Sequence, residues 1–195
     1  TCFLAAQHPA NIPAIVAANE EERWLLMRDF GKAYLGESKN AGDWERAVRD
    51  FATLQISMSG QVDALFARGA MDYRLENLPE KLALLFADET MLKPDHAMNA
   101  EEIERIQGLY PRICALINEL NGCALPVTIV HGDFHVWNTA VQDGRIIFFD
   151  WTDAAVGHPF WDIAMYFEAA RQSDVFADQR EMPAYLREVY LQAWA

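Results

Sequence analysis

Two histidines, the carboxylates of Asp133 and Asp150 and the amide of Asn138 crowd into residues 130–150, VHGDFHVWNTAVQDGRIIFFD. Asp133, Asn138 and Asp150 each offer oxygen to a hard cation. Asp133 follows an apolar run and a glycine, so its carboxylate projects from a loop and not from a helix face. Asn138 comes five residues later, and Asp150 closes the stretch. Carboxylate and amide oxygens together suit Mg²⁺, which takes few protein ligands and completes its shell with water and phosphate oxygens. Imidazoles beside carboxylates also suit zinc or iron, so His131, Asp133, His135, Asp150 and His158 form a second candidate set, that of a metal-dependent hydrolase.

The elements around these residues must bring them together. Asp143-Gly144, between the alternating runs 139–142 and 145–149, is a strong two-residue hairpin signal. Such a hairpin returns Asp150 to the neighbourhood of Asn138 and Asp133. A short apolar strand at 127–130 leads into the loop. Upstream, residues 14–18 and 23–28 read as two strands joined by a polar turn, and a linker follows to Gly42. Helix begins at Asp43, a plausible N-cap, with Trp44, Val48, Phe51, Leu54 and Met58 spaced as one buried stripe. Ser59-Gly60 breaks it before a short helical piece at 61–66. Pro79 suits the first turn of a helix ending near Asp88. Asn99 and Glu102 make a capping-box start for a long helix towards Asn121-Gly122, kinked or split by Gly108 and Pro111. Pro159 and Pro183 open two further helices. The plan is a strand-poor helical body with one functional hairpin set into it.

Composition narrows the class. At 195 residues with 52% hydrophobic and 12% aromatic content, the chain is long enough for one substantial core and unlike a disordered segment. A net charge of −13 disfavours nucleic acid, whose phosphates need a basic face, and is compatible with a cationic small molecule. Cys2, Cys114 and Cys123 form no CxxC pair, and Cys114 and Cys123 read as core thiols. No apolar run reaches the length of a membrane span and no signal peptide is visible, so a cytoplasmic location is expected.

The set His131-Gly132-Asp133, Asn138, Asp150-Trp151 and Gly157-His158-Pro159 with Asp162 resembles the aminoglycoside phosphotransferase family, within the protein-kinase-like fold. The step of five from Asp133 to Asn138 is also that of the protein-kinase catalytic loop. More loosely, ERWLLMRDFG is similar to the strand and hinge that join the small lobe to the large one. The resemblance implies an α+β fold, mainly the helical C-terminal lobe with its catalytic loop and β-hairpin. Residues 1–31 would be a remnant of the small lobe and hinge, and residues 32–195 the large lobe. It implies a small-molecule kinase that moves the γ-phosphoryl of ATP or GTP to a hydroxyl, with Mg²⁺ as cofactor. Asp133 would accept or orient the hydroxyl proton, while Asn138 and Asp150 hold the metal. Met27, Arg28 and Asp29 would meet the nucleotide at the hinge. His131 would brace the loop, and Asp162 would tie the helix beneath to the loop backbone. His135 and Asp153 are candidates for phosphate or substrate contact, with capping of the loop and solvation of the turn as the alternatives. Trp137 and Trp151 are expected to pack around the loop. The partner is a small-molecule alcohol, compatible with a cationic one; the oligomeric state is left open.

Departures from the family pattern matter too. Nothing matches a Gly-rich phosphate loop, no strand offers a phosphate-pairing lysine, and Gly31-Lys32 is no Walker motif. The chain therefore reads as a fragment that would not turn over ATP by itself. The remaining alternative is a nucleotide-binding pseudokinase or regulatory module, against which the intact Asp133, Asn138 and Asp150 argue. The helices between Asp43 and Leu120 are expected to shape the acceptor pocket.

Overall fold

The computed structural model describes residues 1–88, 99–123, 125–176 and 181–195. A short helix α1 (Cys2–Gln7) precedes an antiparallel hairpin, β1 (Ile15–Asn19) and β2 (Trp24–Met27). The central helix α2 (Ala41–Met58) carries the expected stripe, and Trp44, Val48, Phe51, Leu54 and Met58 are all buried. Its start differs from the sequence reading. Asn40 is the N-cap, accepting from the Gly42 amide at 3.0 Å, while Asp43 lies buried in the first turn and accepts from Ser38 Oγ at 2.7 Å. Either residue type can cap; Asn40 wins because Asp43 is engaged by Ser38 and by the helix N-terminus.

Helices α3 (Val62–Phe66) and α4 (Leu78–Ala87) follow. Next come α5 (Ala100–Gly108), with the Asn99/Glu102 capping box formed, and α6 (Tyr110–Asn121). The predicted long helix is thus split between Gly108 and Pro111. Cys123 is exposed and Cys114 only half-buried, contrary to the core-thiol expectation. The exposed residues around both show that this part of α6 is amphipathic, with Ile117 and not the cysteines facing inward.

The sequence reading anticipated one strand, at 127–130, of a three-stranded sheet and missed the other two. Strands β3 (Met71–Tyr73), β4 (Thr128–Val130) and β7 (Ala155–Gly157) form it in the order β3-β7-β4, with β3 parallel and β4 antiparallel to β7. Three-residue strands are too short to show alternation, and these pair with partners far away in sequence. The central hairpin, β5 (Thr139–Gln142) and β6 (Arg145–Phe148), turns at Asp143 (φ 50°) and Gly144 (φ 74°). Both turn residues lie in the left-handed region, as a type I′ turn requires. Helix α7 (Ile163–Gln172) follows one 3₁₀ turn at Pro159–Trp161, and α8 (Met182–Trp194) packs back on α2.

The core gathers residues from α1, α2, β4, β6, α7 and α8, and it includes Leu4 and Ile12 from the first stretch. Its centre is aromatic. Phe134 stacks on Phe51 with centroids 3.7 Å apart and on Tyr166 at 5.5 Å, and meets Phe148 edge-on at 5.8 Å. Burying one such side chain contributes about 1.5–3 kcal/mol. Phe134 directly follows Asp133, so the candidate loop is nailed into the core. Among the described residues, no helix is long and apolar enough to cross a membrane.

Candidate active site

Strand β4 is wholly buried and delivers the chain to His131. There the His131 amide donates to Asp162 Oδ2 at 2.7 Å and the Gly132 amide to Asp162 Oδ1 at 3.0 Å. One carboxylate taking two successive amides fixes the direction in which the chain leaves the strand. Gly132 has a φ of +87°, and a Cβ there would collide with the Asp153 carbonyl oxygen. The loop and the turn at Trp151–Asp153 therefore meet backbone to backbone, a contact only glycine permits.

Asn138 closes the loop. Its Nδ2 donates to the Asp133 carbonyl at 3.0 Å and to the Asp133 carboxylate at 3.1 Å. Its carbonyl accepts from the Phe149 amide at 3.1 Å, which joins the loop to the far end of the hairpin. Asp150 then adopts φ 63°, ψ 60°, a left-handed conformation that Asp tolerates better than most residues. Its exposed carboxylate accepts from Thr152 Oγ1 at 2.8 Å.

Asp133 and Asp150 both lie close enough to the His131 ring to act on its charge. Burial holds that imidazole below its ordinary pKa, opposed by the Phe149 carbonyl and by the nearby charges of Asp133 and Asp150. Its Nε2 donates to the Phe149 carbonyl at 2.9 Å, and its buried Nδ1 has no partner, the pattern of a neutral ring. Asp162, also buried, is pushed up to about 7, mainly because burial disfavours its charge; the two amides pull it back and the Asp133 charge pushes it further.

Of the two readings for His135, capping of the loop is the one its hydrogen bond forms. Its Nδ1 accepts from the Trp137 amide at 3.1 Å, capping the loop, while its Nε2 lies 3.4 Å from Asp133. Asp153 is exposed beside Gly132. Trp151 is buried against His131 at 4.4 Å, as expected, but Trp137 is 52% exposed and does not pack into the loop. Its indole meets Tyr34 edge-on at 6.1 Å and lies against Gly36.

The hinge candidates sit elsewhere. Met27 ends β2 on the surface, the Arg28 amide donates to Ala14, and Asp29 accepts from the Gly31 amide at 2.8 Å. They connect to the central loop through Phe30, whose ring lies 4.8 Å from that of Phe149.

The hydrolase set does not assemble. His131 is spent on Phe149, and the buried His158 accepts from the Phe160 amide at 3.2 Å. Among the described residues no group of three or more His, Cys, Asp or Glu side chains is placed to hold a metal. A hard cation completed by water and phosphate needs fewer, and Asn138 with Asp150 fits that donor chemistry.

A cavity of about 670 Å³ opens beside the loop, walled by Val136 and Trp137 of the loop, Gly36, Glu37, Trp44 and the Asp174 segment. Of the described residues between Asp43 and Leu120, only Trp44 lines it. Sequence reasoning also passed over Phe134 and Gln55. Phe134 was visible as the one apolar ring inside a polar motif, and Gln55 as a polar residue in phase with the stripe of α2.

These features define a kinase-like phosphotransferase fold. The chain belongs to the phosphotransferase enzyme family, whose model matches residues 3–195. Among solved structures it is similar to a choline/ethanolamine kinase family protein from Mesorhizobium loti, at 17% identity and a TM-score of 0.62, covering 98% of this chain and 58% of that one. An aminoglycoside-3′-phosphotransferase of type VIII matches at 16% identity and a TM-score of 0.57, with 98% and 70% covered. An aminoglycoside phosphotransferase from Streptomyces rimosus, in complex with ADP and streptomycin, matches at 15% identity and a TM-score of 0.60, with 98% and 72% covered. The chain thus spans 58% of the length of the first of these relatives and about 70% of the other two. No curated protein matches the sequence.

Proposed function

We propose that this chain carries the acceptor- and cation-holding part of a cytoplasmic small-molecule kinase, which transfers the γ-phosphoryl of ATP or GTP to a hydroxyl. One observation carries the reading: Asn138 holds the Asp133 carboxylate by its amide while Asp162 fixes the backbone that presents it. Those hydrogen bonds support the reading of Asp133 as a positioned proton acceptor. The acceptor oxygen bonds to the γ-phosphorus as its proton passes to Asp133, and the bond from that phosphorus to the β–γ bridging oxygen breaks, leaving the diphosphate. The transition state of phosphoryl transfer is loose, so placement and charge neutralisation carry most of the rate.

Asn138 through Oδ1 and Asp150 through its exposed carboxylate are the residues to hold Mg²⁺, which when bound neutralises phosphate charge. His135, whose Nε2 lies 3.4 Å from Asp133, would donate to a phosphate oxygen through that nitrogen. Met27, Arg28 and Asp29 would border the nucleotide base. ADP in the Streptomyces rimosus relative supports nucleotide use.

The test is a panel of small alcohols and amino-alcohols with Mg²⁺ and ATP or GTP, using the full-length protein and its Asp133→Ala variant. Loss of the positioned base should lower turnover about 10²–10⁴-fold. Full activity in that variant would overturn the assignment of the loop.

A further inference from the structure

The two segments that meet at Asp162 are both tied to one buried amide. Gln55, fully buried on α2, donates through Nε2 to the Ile129 carbonyl at 3.2 Å and to the Pro159 carbonyl at 3.2 Å. Ile129 is the middle residue of β4, two positions before His131. Pro159 opens the 3₁₀ turn that presents Asp162. Thr128 Oγ1, also buried, donates back to the Gln55 carbonyl, so strand and helix are joined twice. The far end of the amide is held as well. Tyr190 of α8 reaches Gln55 Oε1 at 2.5 Å and the Pro159 carbonyl at 2.8 Å, its single hydrogen shared between them.

We infer that Gln55 and Tyr190 are positioning residues for the phosphoryl transfer proposed above, a clamp that fixes the Asp162 carboxylate against the loop amides through which Asp133 is aimed. The inference rests on that functional reading for its consequence and on the hydrogen bonds for its geometry. A buried glutamine with both ends of its amide engaged has one orientation, since reversing it would face Nε2 with the tyrosine hydroxyl and Oε1 with two carbonyls. Simple packing does not need this arrangement, because Leu or Met at position 55 would fill the same space without a polar atom to satisfy. What the amide adds is a fixed distance between two backbone carbonyls on separate segments, each only a few residues from the contact that orients Asp133. Tyr190 extends the clamp to the last helix, so α8 is linked to the segments that orient the loop. Burial pushes the Tyr190 phenol well up, which keeps it a neutral donor throughout the working pH range.

The experiment compares Tyr190→Phe with Val189→Ala, a buried neighbour on the same helix outside the clamp. Amide exchange of His131 and Gly132 is followed by NMR on the folded chain, and kcat and KM are measured on the full-length protein. Loss of one hydrogen bond here should quicken exchange of those two amides about fivefold and lower kcat by a similar factor, with KM little changed. Val189→Ala should leave both readouts near the parent values when compared at equal loss of stability. Gln55→Met should exceed Tyr190→Phe in both; if it fails to fold, Tyr190→Phe decides alone. Equal effects of Tyr190→Phe and Val189→Ala, or unchanged exchange in Tyr190→Phe, would overturn the clamp. Quickened exchange in a full-length protein that transfers no phosphoryl group would sink the kinase reading and leave the clamp standing as structure.

Discussion

Among the described residues are two short antiparallel hairpins, and they could hardly be held more differently. In β5–β6, Thr139, Ala140, Ile146, Ile147 and Phe148 are buried, and the ladder runs in unbroken register around a two-residue turn. In β1–β2, Val16, Trp24, Leu26 and Met27 are exposed, and the register shifts between Ile15 and Ala17. A two-stranded hairpin is marginal alone, so the ladder itself positions little. What fixes β5–β6 is the core beneath it and the loop closed on its end. The cation-holding residues proposed for the site sit at the ends of the first hairpin, and the nucleotide-base residues at the end of the second. Precision is therefore concentrated where charge must be placed, and β1–β2 relies on few anchors, among them the Phe30–Phe149 ring contact and the Arg28–Ala14 hydrogen bond.

The largest break in that contrast is Phe148→Ala. The ring is fully buried and meets Phe51 at 5.4 Å and Phe134 at 5.8 Å, so its loss opens a cavity under both hairpin and loop. A cost of about 3–5 kcal/mol is expected in denaturant unfolding. A loss below about 1 kcal/mol would mean the core does not hold this hairpin.

A smaller effect separates the loop's two buried titrating groups. Asp162 is raised from 3.8 to about 7, so the folded state keeps a proton that the unfolded chain releases. Its contribution to stability is therefore present at low pH and declines as pH rises from 3.8 to about 7. His131 is lowered from 6.5 by burial, so the unfolded chain binds the proton first and stability falls as pH drops below 6.5. His8 and His158 are lowered for the same reason and act in the same sense. Asp162→Asn removes only the first of these slopes. Relative to that variant, the parent protein should lose stability between pH 4 and 7, read from unfolding midpoints at successive pH values. Parallel curves would show that the carboxyl does not titrate in that window.

Much of this architecture could be read locally. Asp143-Gly144 named its own turn, Asn99 and Glu102 named a helix start, and the stripe of α2 named a buried face. The site was legible for the same reason, because a loop and a tight hairpin bring Asp133, Asn138 and Asp150 together over a short stretch of chain. The rest depends on distant pairing. Strands β3 and β7 have three residues each and acquire meaning only in the sheet they form with β4. Gln55 and Tyr190 lie 135 positions apart, and no local pattern joins them. Asp162 was picked out by resemblance alone. The misplaced cap at Asp43 and the cysteines read as core share a cause: residue type suggested a role that neighbouring side chains had already filled.

The smallest effect is expected where the surface looks most apolar. Trp24 and Leu26 are about half exposed on β2, so trimming them removes little buried area. Trp24→Ser and Leu26→Lys should each change stability by no more than about 0.5 kcal/mol, although the same substitutions on β6 would be severe. The Phe30–Phe149 contact should also survive, because neither side chain belongs to it. Nucleotide binding is the sharper reading of the same variants. If the hinge at Met27, Arg28 and Asp29 takes its position from Phe30 and the Arg28–Ala14 bond, affinity for ATP in the full-length protein should stay within about twofold of the parent. A drop of tenfold or more without a matching loss of stability would show that the exposed face of β1–β2 itself positions the hinge. The two hairpins would then differ in what covers them, and not in how firmly they hold their ends.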